Sequence, residues 1–353
     1  MDVLFVTRKW PPATGGMETY SVRLTEALAA LCRVEVIALP GRANGMPPSA
    51  MALLGFPFTV LAAFLRRSRA PKVLHLADMA IWPLALPAMI LLPGIRVILS
   101  AHGTDVAYHR RGGVKGRLYS VYLRLGARLL RKATVIANSR ATRDVLAETG
   151  WRDVAVVPLA VDPVEIEGDI VARHDTILFA GRLVERKGCG WFIREVLPLL
   201  PDHLRLEVAG TVWDANEGAA LEHDRVTFLG PLGREDLARR YAEALCVIIP
   251  NIETASGEYE GFGLVAPEAA AAGGVVIAAD HAGLRDAVID GETGFLLPTG
   301  DAQAWARKIG AIARQTEQER RKFTDESRSV AAREFAWEKV ARRSARSYAS
   351  GSR

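Results

Sequence analysis

Short apolar runs rich in Val, Ile and Leu recur along this chain, each followed by a stretch of helical periodicity, and the pattern plays out twice. In the first half the runs lie at 3–7, 34–38, 73–76, 96–100, 134–137 and 154–157, with helical patterns near 17–31, 51–68, 114–131 and 139–148. In the second half they lie at 176–180, 205–209, 226–229, 247–250, 275–278 and 295–297, with helical patterns near 188–198, 233–244, 264–273 and 301–313. A strand that is apolar throughout must be covered on both faces, and helices returning between parallel strands supply that cover. The expectation is an α/β chain of two doubly wound domains facing a cleft. With 353 residues there is length enough for both. The stretch 160–175 is charged, carries proline and has weak periodicity, so the domains are expected at 1–160 and 161–336. A charged helical stretch follows from about 317 to 348, with a kink expected at Phe335 and Trp337.

Composition narrows the setting. Cys32, Cys189 and Cys246 lie far apart, with no Cys-x-x-Cys pair, so a reducing cytoplasm is the expected home. The opening Met1-Asp2-Val3-Leu4-Phe5-Val6-Thr7 reads as a buried strand rather than a signal peptide. Two apolar runs, 51–65 and 79–93, carry one and three prolines. At fifteen residues each, both fall short of the ~20 that a spanning helix needs. The chain is therefore expected to be soluble or peripheral. The net charge of +5 hides an asymmetry: residues 1–160 hold 21 Lys and Arg against 9 Asp and Glu, and the remainder hold 24 against 31. No acid lies between Val106 and Arg143, and eight Lys and Arg cluster within that stretch from Arg110 to Lys132. No basic strip interleaved with aromatics accompanies them, so nucleic acid is not an expected partner.

Candidate chemistry falls at the ends of the apolar runs, where ligands of doubly wound sheets sit. After the first run, Gly15-Gly16 opens a helix and permits close backbone approach to a ligand. It is not a G-x-G-x-x-G fingerprint, which weighs against a dehydrogenase. After the fourth run comes Ala101-His102-Gly103-Thr104-Asp105; His102 can present its ring or its carbonyl, and Asp105 can orient it, although such a turn can also be purely structural. After 176–180, Arg182 and Lys187 stand five apart in a strand-to-helix loop. They can clamp a diphosphate, or they can be a solvated basic loop. After 247–250 comes Glu260-Gly261-Phe262-Gly263-Leu264-Val265-Ala266-Pro267-Glu268. Phe262 to Leu264 are read as opening a helix whose unpaired N–H groups suit a pyrophosphate, with Glu268 about one turn inside. The other reading is two solvated acids. No Asp-x-Asp or His/Cys cluster has metal-ligand spacing, so no metal and no cofactor are expected. Asp290-Gly291-Glu292-Thr293-Gly294 reads as a structural turn, and Trp191, Trp213, Trp305 and Trp337 as packing residues.

The joint order of these motifs is more specific than any one of them. Gly15-Gly16, His102-Gly103-Thr104-Asp105, Gly181-Arg182 with Lys187-Gly188, Glu260 with Glu268, and Asp290-Gly291 with Gly294 together resemble glycosyltransferase family 4, retaining nucleotide-sugar transferases of the GT-B fold. The resemblance covers nearly the whole chain. It implies two Rossmann-like domains, with the terminal helix at about 337–353 crossing back onto the first. It implies that Arg182 and Lys187 bind the donor diphosphate and that the N–H groups of Phe262, Gly263 and Leu264 meet the phosphates or the sugar. Glu268 would hold the ribose and Glu260 the transferred sugar. Gly15 and Gly16 would approach the β-phosphate, His102 would sit near the reacting carbon with Asp105 on the acceptor side, and Leu232 would lie by the base. Pro267 and Gly274 depart from the family's usual residues.

The donor so implied is a GDP- or UDP-linked hexose, moved without metal to a hydroxyl of a lipid, lipid-linked or polysaccharide-precursor acceptor. The basic first half favours an anionic membrane surface; the other reading is ordinary amphipathic helices packed on a sheet with snorkelling Arg side chains. Leu118, Tyr122, Leu125 and Leu129 share a helical face bordered by Arg117, Arg124, Arg128 and Arg131. The competing reading is a nucleotide-sugar-binding protein without transferase activity, or one acting in an epimerase-like way.

Overall fold

The computed structural model describes residues 2–67, 69–162, 165–166 and 170–349. Residues 350–353 of the expected terminal helix, and 163–164 and 167–169 of the expected linker, lie outside the described residues. The chain divides into two compact units, Met1–Leu159 with Trp337–Arg353, and Ala160–Ala336.

The first unit is built on one parallel sheet of β1 (Asp2–Trp10), β2 (Arg33–Pro40), β3 (Val73–Leu76), β4 (Arg96–Ala101), β5 (Thr134–Ala137) and β6 (Val154–Val156), in the order β2-β1-β3-β4-β5-β6. Its main helices are α1 (Gly16–Ala29), α2 (Ala50–Leu65), α3 (Ala85–Leu91), α4 (Gly113–Leu129) and α5 (Arg140–Glu148). The second unit repeats the plan with β7 (Arg173–Ala180), β8 (Arg205–Ala209), β9 (Val226–Gly230), β10 (Ala244–Ile249), β11 (Val276–Ala279) and β12 (Phe295–Leu297), in the order β12-β11-β10-β7-β8-β9. It carries α6 (Arg234–Glu243), α7 (Val265–Ala272), α8 (Ala302–Ala313) and α9 (Glu317–Glu334). A last helix, α10 (Trp337–Ala349), belongs to the first unit and packs on α1.

Every named strand pair is parallel, and the central strands are the most apolar ones. Phe5, Leu74, Ile98 and Val135 fill the first core, and Leu178, Phe179, Val208, Val247 and Ile277 the second, all with 1% exposure or less. Each sheet has a point where the chain reverses its direction of winding, between β1 and β3 and between β7 and β10. Loops leaving neighbouring strands diverge there and open a crevice.

Two helices depart from the periodic reading. The stretch 188–198 is not one helix: a single turn over Cys189–Trp191 widens over Phe192–Val196 and closes in a tighter turn at Leu197–Leu199. Pro198 lacks the N–H that a regular ladder would use next. The helix after Glu260 starts at Val265, three residues later than Phe262, because Gly263 has φ +95° and cannot be helical. The break before α10 falls at Phe335, as expected, and Thr316 caps α9 in a reciprocal capping box with Glu319.

The attachment of α10 rests on a buried polar chain. Tyr348 Oη lies 2.6 Å from His75 Nδ1, His75 Nε2 lies 2.7 Å from Ser100 Oγ, and Ser100 Oγ lies 2.8 Å from Tyr20 Oη. Burial lowers the His75 pKa to about 3, with His102 adding to the effect, so His75 is neutral at physiological pH. Removing one end would leave a buried imidazole nitrogen unsatisfied, a cost of about 1–3 kcal/mol. Tyr348→Phe is therefore expected to lower the midpoint of thermal unfolding by several degrees, read by circular dichroism.

Candidate active site

The reversal point of the second sheet gathers the charged residues. β7 and β10 lie side by side, with Ile177 opposite Cys246, so the loops that follow them meet. The loop after β7 runs through Gly181-Arg182 to a tight turn at Glu185–Lys187 and Gly188. The loop after β10 runs from Pro250 to Leu264 and delivers Glu260. Ile252 N–H donates to the Arg186 carbonyl at 3.1 Å and ties the two loops together.

Gly188 is the closest point of that contact. It has φ +69°, and a Cβ there would lie 2.0 Å from the Pro250 oxygen. Gly188→Ala is thus expected to push the Lys187 turn away from β10, at about 1–2 kcal/mol of backbone strain alone. The expected result is a lower unfolding midpoint, read by circular dichroism. Gly283 makes a second close approach. Its N–H donates to the Glu260 carbonyl at 3.0 Å, and a Cβ would lie 2.3 Å from the Gly261 oxygen.

Within this frame Lys187 Nζ lies 2.6 Å from Glu260 Oε2, and Arg186 Nη1 lies 3.2 Å from the same oxygen. Arg186 also faces Glu258, at 3.9 Å. The side chains of Arg186, Lys187 and Glu260 are only 10%, 11% and 15% exposed. Burial works against ionisation of Glu260, but Lys187 and Arg186 outweigh it and hold the carboxyl below its ordinary pKa. Asn251, at the end of β10 and 1% exposed, adds to that lowering. Both polar atoms of its side chain are buried without a hydrogen-bond partner of ordinary geometry among the described residues.

The N–H groups of Phe262, Gly263 and Leu264 enter α7 unpaired: no described group accepts from them. Phe262 itself is buried against Phe335, with ring centroids 6.2 Å apart, and fixes the turn. Glu268 lies in the first turn of α7. Burial raises its pKa to about 7, against the pull of Arg234 and Lys187. Leu232 sits in the β9–α6 loop beside Arg234, half-exposed.

Arg182 stands apart from this cluster. It is exposed and stacks on Trp213, with its guanidinium carbon 5.0 Å from the ring. Trp213 is 67% exposed, so the expectation of a packing role fails for it; Trp305, at 0%, fulfils that expectation. The second cation on Glu260 is Arg186, which sequence reasoning passed over. The signal was there as two adjacent cations facing two acids, Glu258 and Glu260, across loops of neighbouring strands.

The first unit holds the remaining candidates at its own reversal point. Gly15 precedes α1, and a Cβ on it would lie 2.5 Å from Oε2 of Glu18, which pairs with Lys9 at 3.4 Å. His102 follows β4. Its Nε2 lies 2.8 Å from the Ala77 carbonyl, and its ring meets Tyr20 edge-on at 4.6 Å. A carbonyl partner requires the proton on Nε2, which leaves Nδ1 as the acceptor in the neutral ring. Asp105 does not orient the ring. Its Oδ1 accepts the backbone N–H of His102 at 2.8 Å and its Oδ2 that of Met79 at 3.2 Å, so it fixes the turn instead. Burial raises the Asp105 pKa, with His102 opposing. The Asp290 turn is structural as read, with Thr293 Oγ1 accepting from Ile289 N–H. Among the described residues no group of three or more His, Cys, Asp or Glu is placed to hold a metal ion.

Paired cations on a carboxylate, unpaired N–H groups opening a helix, and a reversal-point crevice are features that suit an anionic, phosphate-bearing ligand. Comparison with known proteins gives the class. Residues 14–165 match the model of Glycosyltransferase Family 4, and residues 174–315 match that of Glycosyl transferases group 1. The chain belongs to glycosyltransferase family 4, with the GT-B fold. It is similar to the D-inositol 3-phosphate glycosyltransferase of Xylanimonas cellulosilytica, 36% identical over 47% of this chain and 40% of that protein. The chain thus spans about 40% of the length of this first curated relative. It is also similar to the glycogen synthase of Mycobacterium tuberculosis, 26% identical over 100% of this chain and 95% of that one. Among solved structures, sucrose-phosphate synthase of Thermosynechococcus elongatus superposes with a TM-score of 0.71 at 21% identity, covering 99% of this chain and 98% of its own. Anabaena HepE in complex with UDP-glucose does so with 0.72 at 19%, covering 99% of both.

Proposed function

We propose that this protein is a retaining glycosyltransferase. It moves a hexose from a GDP- or UDP-linked donor to a hydroxyl of a lipid, lipid-linked or polysaccharide-precursor acceptor, without a metal. The observation that carries the reading is the Lys187–Glu260–Arg186 cluster beside the unpaired N–H groups of Phe262, Gly263 and Leu264.

In this reading the donor diphosphate lies over the opening of α7, and Lys187 and Arg182 neutralise its charge. Arg182 leaves Trp213 to do so; exposed, it is free to swing. Glu260, held ionised, accepts hydrogen bonds from the hydroxyls of the transferred sugar, and Glu268 accepts from the ribose. Leu232 packs by the base. Gly15 and Gly16 approach the β-phosphate, and His102 presents Nδ1 toward the sugar. In the reaction the bond from the anomeric carbon to the diphosphate oxygen breaks, and the acceptor oxygen bonds the same face of that carbon. The acceptor's proton passes to the departing phosphate oxygen. The protein's part is to align the reactants and to stabilise charge on the leaving group.

The acceptor reading rests on α4 and α2. Val114, Leu118, Val121, Leu125 and Leu129 form an exposed apolar stripe on α4, beside exposed Arg117, Arg124 and Arg128. Tyr122 is not part of it: it turns inward, and its hydroxyl donates to the Ala80 carbonyl at 2.7 Å. On α2, Met51, Leu54, Phe58 and Leu65 are 64% exposed or more. A surface both apolar and basic suits the cytoplasmic face of an anionic membrane, at about 1 kcal/mol per basic residue. Among the described residues no helix is long and apolar enough to cross one.

The test is a panel of nucleotide sugars, with chelator present, read by donor hydrolysis and thermal stabilisation. One donor should stand out, and its signal should vanish in Glu260→Ala. Stabilisation by a donor that is never hydrolysed or transferred would turn the reading toward a binding protein.

A further inference from the structure

The first unit has a second concavity, at the edge of its sheet and on the side of the amino ends of the strands, away from their carboxyl ends. A cavity of about 680 Å³ lies between the C-terminal end of α4 and the segments that lead into β5 and β6. Arg124, Arg128 and Arg131 line it from α4 and the turn after it, and Arg152 lines it from the approach to β6. Among the described residues none of these four guanidinium groups has a hydrogen-bond or ion-pair partner. The two acids in the wall are already engaged. Glu148 pairs with Arg110 and His109, and Asp153 accepts from Thr134 Oγ1 at 2.6 Å. Four uncommitted planar cations around one void make an anion site, and guanidinium geometry favours phosphate.

The rim says which phosphate. Leu125 and Leu129, each 47% exposed, alternate with Arg124 and Arg128 along α4. A smaller cavity of about 260 Å³ shares Leu130 and Ala133 with the first, and is lined by Met89 and Lys132. Met89 and its neighbour Ile90 are 45% and 80% exposed. A free anion has no use for an apolar border, whereas a phosphate attached to acyl chains does. We propose that this cavity seats the phosphate of an anionic phospholipid headgroup, with the apolar rim entering the acyl boundary. The inference rests on the membrane attachment proposed above and gives it a specific site. Because the cavity lies away from the carboxyl ends of the strands, the lipid bound here is an anchor and not the acceptor.

The experiment uses the full chain. Dihexanoyl phosphatidic acid, below its micelle concentration, is titrated by calorimetry into the wild type, Arg128→Ala/Arg131→Ala, and Arg140→Ala/Arg143→Ala. The last pair removes the same charge from exposed positions on α5, outside both the cavity and the α4 face. Saturable binding with one site is expected, weakened roughly 30-fold in the cavity variant and nearly unchanged in the control. Thermal melts confirm that each variant folds. Equal losses in both variants would mean diffuse attraction and overturn the proposal. Inorganic phosphate binding as tightly as the lipid would make this a free-anion site and overturn it too. Flotation with phosphatidylglycerol vesicles separates the two levels. If the wild type floats and the cavity variant floats equally, the cavity assignment fails and membrane attachment stands. If the wild type does not float, both fail.

Discussion

Lys187→Ala is expected to lower kcat/KM for the nucleotide sugar by about 10²–10³, the effect of removing one preorganised charge from a developing anion. The substitution acts in two ways. It removes a buried cation that would face the diphosphate, and it strips Glu260 of its nearest partner, at 2.6 Å. Arg186 stays at 3.2 Å from the same oxygen, so Glu260 remains paired, but its carboxyl should rise toward its ordinary pKa. The two contributions separate in a cycle with Glu260→Gln. If Lys187 serves only to hold Glu260, the double variant should be no worse than Glu260→Gln alone. If Lys187 also meets the diphosphate, the double variant should lose further turnover. Wild-type turnover at saturating donor in Lys187→Ala, with only the melting point lowered, would reduce Lys187 to a structural partner. Arg186→Ala should cost less, because Arg186 divides its contacts between Glu258 and Glu260.

The architecture was legible in the sequence for a physical reason. Strands covered on both faces cannot alternate polar and apolar residues, so runs such as Val73–Leu76 and Val276–Ala279 stand out from their surroundings. Less legible was which loops would meet. That Ile177 lies opposite Cys246 depends on the order in which strands add to the sheet, and no local pattern encodes it. Arg186 was missed for this reason: within its own loop it reads as a solvated cation, and only the adjacency of β10 supplies Glu258 and Glu260. Trp213 was misread because aromatic character suggests burial. Here it ends on the surface, where the indole N–H bonds Thr211 and the ring face takes Arg182. Tyr122 matched the period of the exposed stripe, yet the Ala80 carbonyl and the Trp82 ring, 5.2 Å away, draw it inward. The start of α7 was misjudged by three residues because a glycine in a helical pattern does not announce a φ of +95°. The motif residues themselves, Glu260, Lys187 and Glu268, lie where the spacing put them, after β10, after β7 and in the first turn of α7.

Donor affinity should weaken as the pH falls below about 7, and Glu268 is the reason. Its carboxyl, raised to about 7 by burial, loses its proton only near neutrality. The ionised form can accept from both ribose hydroxyls; the protonated form turns one oxygen into a donor and loses an acceptor. The expected KM for the nucleotide sugar therefore climbs below pH 7 and levels off above about 8. Binding itself should lower the pKa, because two hydroxyl donors favour the charged form. Near pH 6.5 donor binding should then release a proton, measurable by calorimetry in buffers of different ionisation enthalpy. Glu268→Gln should flatten this profile and cost about 10–100-fold in affinity, the value of hydrogen bonds to a charged group. The stability effect runs the other way. A carboxyl whose folded pKa is raised from 4.5 to about 7 binds more protons folded than unfolded across that window. Its contribution to stability is therefore lost as the pH rises from about 4.5 to 7. Glu268→Gln, which never ionises, should unfold at a higher temperature than the wild type at pH 8 and show little difference at pH 5. A variant that gains stability at pH 8 while losing its grip on the donor would identify Glu268 as a residue kept for binding at a cost to the fold. A wild-type KM that stays flat from pH 6 to 8 would remove Glu268 from the donor site.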